Sequence, residues 1–229
     1  MKNILIIAAH PDDEVLGCGG LIKKNIKQKN KIRILFLAEG VTSRYSIKDL
    51  NHPKVIKKSN ERNENAIKAL QNLGIKKNQI FLSNNPCARL DNLNQLEIIK
   101  NIEKHIQDFK PSEIFTHWHS DANIDHRIAY EATITASRPV YNFKINLIAS
   151  YEVLSSTEWN FRESFNPNYF EDITKYIDNK IEAIKLYKDE LRPYPHSRSI
   201  KSIISLSNYR GVQAGYKNAE AFHIIRISK

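Results

Sequence analysis

An α/β fold, with a mostly parallel sheet and helices on both faces, is what this sequence of 229 residues predicts, on three observations. Short apolar runs of strand length recur along the first two thirds of the chain. Amphipathic stretches with helical spacing separate them. The polar residues of greatest chemical interest fall directly after these runs. Strand and helix in alternation imply right-handed crossovers and a parallel sheet.

Lys2 to Ala9 is a continuous apolar run, as expected for a strand covered on both faces. Leu16 to Lys29 has apolar residues at helical spacing, with Gly17, Gly19 and Gly20 near its start. Lys31 to Ala38 reads as the second strand, ended by Glu39-Gly40, and a polar loop runs to about Pro53. Asn60 to Leu73 reads as a helix with Gly74 just past its end. Gln79 to Leu82 is a short third strand, Leu93 to Phe109 a helix stopped by Pro111, and Glu113 to His117 a fourth strand. Asp125 is placed to cap a helix from His126 to Ser137, which Pro139 stops, and Asn146 to Val153 is the fifth strand. Beyond it, Tyr169 to Asp189 and Ile200 to Tyr209 read as helices and Glu220 to Ile227 as a last strand. Nothing marks a domain boundary, so residues 1–229 read as one domain, the size that 229 residues favour.

Composition narrows the function classes. Hydrophobic residues are 41% and charged residues 26%, a globular balance that excludes wholesale disorder. No apolar run approaches the roughly 20 residues of a membrane span. The first residues lack the flanks of a cleavable signal peptide, so a cytoplasmic protein is expected. A small secreted disulfide scaffold would carry more cysteines than Cys18 and Cys87, and one pair fits reduced thiols equally well. The net charge of +10 is spread over lysines in ones and twos, without a nucleic-acid signature, so no nucleic-acid partner is expected. A small anionic substrate remains compatible with this field. Exposed stretches of the last third leave room for a homo-oligomer interface.

In an open α/β sheet, ligands sit beyond the carboxyl ends of the strands. After strand one come His10-Pro11-Asp12-Asp13-Glu14; after strand two, Glu39-Gly40 and Arg44; after strand four, His117 to Asp121, then Asn123, Asp125 and His126. His10, Asp13 and His126 supply two imidazoles and one carboxylate, a common catalytic zinc set that leaves a position open for water. Zinc lowers the pKa of bound water toward neutrality. Asp12 cannot easily point the same way as Asp13, which leaves it free to act as a general base. Gly17-Cys18-Gly19-Gly20 lacks the spacing of a dinucleotide fingerprint.

Ala9-His10-Pro11-Asp12-Asp13-Glu14 followed by Gly17-Cys18-Gly19-Gly20 resembles the signature of the PIG-L/LmbE-like zinc N-deacetylases. The resemblance continues through Arg62-Asn63-Glu64, Arg89-Leu90-Asp91, Asn123-Ile124-Asp125-His126-Arg127, the stretch Tyr151 to Trp159, Pro195 to Ser199 and Ala219 to Phe222. It implies a Rossmann-like core, one Zn²⁺ per chain, and hydrolysis of an N-acetyl group on an amino sugar or sugar conjugate, nucleotide-linked substrates of glycan biosynthesis included. The family's ligands fall on His10, Asp13 and His126 and its base on Asp12. Many members carry a His three residues before the last metal His; here that position is Asn123, which has no titratable proton. The acid then falls to His196, in a stretch that Pro193 and Pro195 stiffen just ahead of it, or to His119. Arg44, Arg89, Asn123, Asp125 and Glu152 are the expected substrate-binding residues. The same hydrolysis on a formyl or other small acyl amide, and a non-catalytic sugar-binding module, are the alternatives.

Overall fold

A computed structural model describes residues 1–228. Seven strands form one sheet: β1 (Asn3–Ala8), β2 (Lys31–Phe36), β3 (Ile80–Phe81), β4 (Glu113–His117), β5 (Leu147–Tyr151), β6 (Tyr169–Asp172) and β7 (Ala219–Ile227), in the order β3-β2-β1-β4-β5-β7-β6. The first five in that order are mutually parallel, and β7 runs antiparallel to both β5 and β6. Six helices accompany them among the described residues: α1 (Asp13–Lys27), α2 (Pro53–Leu73), α3 (Gln95–Phe109), α4 (Ile124–Ala136), α5 (Ile177–Ile184) and α6 (Ile200–Ala214). None is long and apolar enough to cross a membrane.

The alternation of side chains along β1 splits the core in two. Ile4, Ile6 and Ala8 join residues of α1, α2 and α5 on one face, among them Leu21, Leu70 and Ile181. Leu5, Ile7 and Ala9 join Ile102 and Ile106 of α3 and Ala129 and Ala132 of α4 on the other. The connection after β2 stays on the α1 side, whereas β4 returns beside β1 with α3 on the opposite face. The strand order therefore reverses between β1 and β4, which opens a crevice beyond their carboxyl ends.

The glycine run at the start of α1 is explained by packing. A Cβ on Gly17 would lie 2.3 Å from the ring of Tyr151, and one on Gly20 would lie 2.5 Å from Ile173. These positions are bare so that β5 and the segment before α5 can approach the helix.

Three expectations are corrected. Tyr169 to Asp189 is not one helix: Tyr169–Asp172 is an edge strand paired with β7, Ile177–Ile184 is the α-helical part, and a 3-10 turn begins at Lys188. The second helix begins seven residues earlier than expected, at Pro53, with His52 as its cap. The cap of α4 is Asn123, whose side-chain oxygen accepts from the Asp125 backbone N–H at 2.9 Å; Asp125 itself lies inside the helix.

Candidate active site

The turn after β1 aims two consecutive carboxylates in different directions. Asp12 adopts φ 124°, a region that L residues occupy only at a cost of roughly 1–3 kcal/mol. Its backbone N–H donates to Glu14 Oε2 at 2.9 Å, and Tyr187 holds Glu14 from the other side at 2.6 Å. Burial raises the Glu14 carboxyl to about 8. So fixed, the turn sends Asp13 toward the sheet crevice and Asp12 toward the last third of the chain.

Asp13 Oδ2 accepts from the His10 backbone N–H at 2.8 Å, and lies 3.4 Å from His10 Nδ1 and 3.3 Å from His126 Nε2. One donor atom from each of these three residues lies within 4.8 Å of the others. The far nitrogen of each imidazole meets a further carboxylate. His10 Nε2 donates to Asp125 at 2.9 Å, and His126 Nδ1 lies 3.2 Å from Asp121 Oδ2. Carboxylates so placed fix the tautomer and turn of each ring and raise its basicity as a ligand. Asp121 and Asp13 together raise His126 to about 9 against the effect of its burial. Asp121 is in turn lowered to about 2, against its own burial, by the His126 charge and by bonds from His126, Ser156 and Thr157.

These residues fit a metal ion. Asp13 Oδ1 is buried with no hydrogen-bond partner among the described residues. A buried carboxylate oxygen left bare costs on the order of 1–3 kcal/mol or more, and a cation between the two imidazoles removes that cost. A second group of His10, Cys87 and Asp125 lies equally close together. Its carboxylate, however, is already filled: Asp125 accepts from the backbone N–H groups of Ala88 at 2.5 Å and Leu90 at 3.0 Å as well as from His10.

Beside this cluster, Asp12 meets arginines. Arg198 Nη1 donates to Asp12 Oδ2 at 2.7 Å and to Glu190 at 2.6 Å; Arg62 Nη1 lies 3.8 Å from Asp12. Burial outweighs both guanidinium charges and raises the Asp12 carboxyl to about 6.

Residues 5–137 match the family described as "PIG-L: GlcNAc-PI de-N-acetylase". The chain belongs to this family. It is 24% identical over 235 residues to the diacetylchitobiose deacetylase of Thermococcus kodakarensis, covering 98% of this chain and 84% of that one. Among solved structures, it resembles the N,N'-diacetylchitobiose deacetylase of Pyrococcus horikoshii with an inhibitor bound, at TM-score 0.78 and 21% identity, over 98% of this chain and 84% of that one. It also resembles GalB of Pseudomonas putida, a 4-carboxy-2-hydroxymuconate hydratase, at TM-score 0.75 and 19% identity, over 100% of this chain and 99% of that one. Structural likeness at these identities shows the fold, and the mostly parallel LmbE-like sheet is the one expected.

Of the expected site residues in this PIG-L chain, His10, Asp13 and His126 converge at the crevice, and Asp12, in the same turn, turns its carboxylate to Arg198 and Arg62. The others are occupied elsewhere. Asp125 is fully buried against His10 and the 88–90 backbone, so it positions a ring and a loop instead of meeting substrate. Glu152 forms a bidentate pair with Arg210, both distances 2.7 Å. Arg89 donates to the carbonyls of Thr42, Cys87 and Tyr45 and so ties two loops together. Arg44 pairs with Glu190 at 2.8 Å. His196 is exposed, and its Nδ1 accepts from the Arg198 backbone N–H at 3.0 Å. His119 packs beside Trp118, with Nε2 3.3 Å from Glu163. Neither histidine touches the cluster.

Three residues without an assigned role turn out to be central. Asp121 also accepts from Thr157 at 2.6 Å and from Ser156. His117 stacks on His126 with ring centroids 3.9 Å apart, while its Nε2 accepts from the Ala9 N–H at 2.8 Å, and burial keeps it neutral. Arg198 stands within the Pro195 to Ser199 motif, and that motif is the one signal that would have singled it out.

Proposed function

We propose that the chain is a zinc-dependent hydrolase that removes the N-acetyl group from an amino sugar or sugar conjugate and releases acetate. The observation that carries this reading is the bare Asp13 Oδ1, beside two imidazoles each turned by its own carboxylate. His10, Asp13 and His126 would hold the ion. When bound, zinc supplies Lewis acidity toward the amide carbonyl and makes water acidic enough to attack near neutral pH.

The protein's own part is proton traffic. Asp12, with its carboxyl near 6, is ionised at neutral pH and still basic enough to take a proton from the attacking water. Arg198 and Arg62 hold it in place. The oxygen of that water joins the acyl carbon, the C–N bond breaks, and the proton on Asp12 passes to the departing amine. One group thus serves as base and then acid, which fits the lack of contact between the cluster and either His196 or His119. Asn123 contributes a neutral donor. Its amide oxygen is engaged by the Asp125 N–H, while its Nδ2 has no partner among the described residues and is free to donate to a substrate oxygen.

A mass-spectrometric screen for acetate loss over free and nucleotide-linked N-acetyl sugars tests the reading, alongside metal content. Purified protein is expected to hold about one Zn²⁺ per chain, with occupancy lowered in His10→Ala, Asp13→Ala and His126→Ala. Asp12→Asn is expected to keep the metal and lose roughly 10²-fold or more in kcat. Unchanged zinc in all three ligand variants, or no acetate from any sugar tried with loaded protein, would overturn it.

A further inference from the structure

Behind the arginines that hold Asp12 lies an open basin of about 480 Å³, a size suited to a small-molecule ligand. Five cationic side chains line it: Arg44, Lys58, Arg62, Lys188 and Arg192. Its acidic members are Asp189 and Glu190. Glu190 is already over-subscribed. It is buried and receives Arg44 at 2.8 Å, Arg62 at 2.6 Å and Arg198 at 2.6 Å. Lys58, Lys188 and Arg192 form no ion pair among the described residues, although all three are exposed at the basin. Arg192 spends one nitrogen on the carbonyls of Asp189 and Leu191, and Lys58 stands 5.7 Å from the centroid of the Tyr45 ring.

Like charges gathered on a concave wall repel one another, and an anion in the basin reverses the sign of that interaction. Arg44 is the best-placed receptor. One of its terminal nitrogens is on Glu190, and the side chain is half exposed, so the rest of its fork is open to a ligand. A planar fork flanked by exposed ammonium groups is a combination that matches the oxygens of a phosphate.

Position gives the basin its meaning. Arg62 lines it and also lies 3.8 Å from Asp12, so an anion here shares a guanidinium with the proposed base. We infer that the basin binds the phosphate of a phosphorylated amino sugar, a sugar 1-phosphate or the diphosphate of a sugar nucleotide, while the N-acyl group lies at the His10–Asp13–His126 cluster. The inference rests on the deacetylase reading for the identity of the sugar, but not for the binding of phosphate.

The test uses metal-loaded full-length protein, the double variant Lys58→Gln/Arg192→Gln, and a control of equal charge, Lys76→Gln/Lys77→Gln, placed ahead of β3 at the other end of the sheet. Calorimetric titration with inorganic phosphate is expected to give saturable binding that weakens at least ten-fold in the basin variant and less than two-fold in the control. In kinetics, the preference for N-acetylglucosamine 1-phosphate over N-acetylglucosamine, as a ratio of kcat/KM, is expected to fall at least ten-fold in the basin variant, mainly through KM. Equal weakening in both double variants would mean diffuse surface charge. Binding untouched in the basin variant would mean phosphate held at the metal. Either result overturns the inference, as does wild-type protein that shows no saturable binding. Specific phosphate binding without deacetylation of either sugar would support the basin and count against the deacetylase reading alone.

Discussion

Replacing Asp121 with Asn isolates what the outer carboxylate contributes to the metal site. Asp121 Oδ2 lies 3.2 Å from His126 Nδ1, and both side chains are almost wholly buried. Two unit charges about 4 Å apart interact by about 4 kcal/mol at an effective dielectric constant near 20. An Asn keeps an oxygen able to accept from the imidazole, so only part of that is lost. Outer carboxylates of this kind change metal affinity by about 10–100-fold, or about 1.4–2.7 kcal/mol, and we expect Asp121→Asn to fall in that range. Alanine would be the wrong choice. It strips the acceptor from Ser156, Thr157 and the Asn123 N–H, at about 1–3 kcal/mol for each buried donor, and would confound ligation with folding. The assay is zinc competition against a chelator of known affinity, with circular dichroism to confirm the fold. Affinity within two-fold of wild type, while His126→Ala abolishes binding in the same assay, would refute the idea that Asp121 tunes the ligand.

Other perturbations follow from the packing and charges. Gly17→Ala forces a methyl against the Tyr151 ring, whose hydroxyl is pinned to the Ile7 carbonyl at 2.8 Å; a loss of about 1–3 kcal/mol is expected, read as a fall in Tm of about 2–4 °C per kcal/mol. Arg198→Gln removes the 2.7 Å bond to Asp12, and kcat is expected to fall at least ten-fold, on the scale of about 1.4 kcal/mol for a charge-assisted bond, with metal content unchanged. Burial and the neighbouring Arg33 hold the His105 imidazole down at about 4. The unfolded chain protonates it below about 6.5, so the folded state is expected to lose stability as pH falls from 6.5 to 4. The difference between the urea midpoints of wild type and His105→Gln should change with pH in that window and be constant above it.

The parts legible in the sequence were those set by near neighbours. The run from Asn3 to Ala8 followed by His10-Pro11-Asp12-Asp13 gives strand, turn and two candidate ligands within a dozen residues, and the helix that follows the adjoining strand β4 brings His126 in its first turn. Tyr169–Asp172 misled the periodicity because a strand of four residues is too short to display its own period, and its pairing with β7 bridges some fifty residues of sequence. Asp12 and Arg198 are 186 residues apart, and Arg44 and Glu190 are 146 apart. No local pattern encodes such pairs. Asp125 was misassigned for a related reason: a carboxylate beside a ligand histidine looks the same in sequence whether it faces substrate or the back of another ring.

Each imidazole of the cluster is already turned by its own carboxylate, and those carboxylates are anchored by backbone N–H groups and hydroxyls of the protein itself. An ion held there would enter a cage that the protein's own bonds keep in shape. Stripping the ion should leave the chain folded, unlike a zinc finger, whose folding free energy is its binding free energy. A rigid pocket of two nitrogens and one oxygen also has little means of refusing other divalent ions, whose affinities for such donors follow a general order fixed by the metal. The ion recovered from a given preparation will then record the supply of metals where the protein was made, and only reconstitution from the stripped chain, ion by ion, will reveal which one the chemistry prefers.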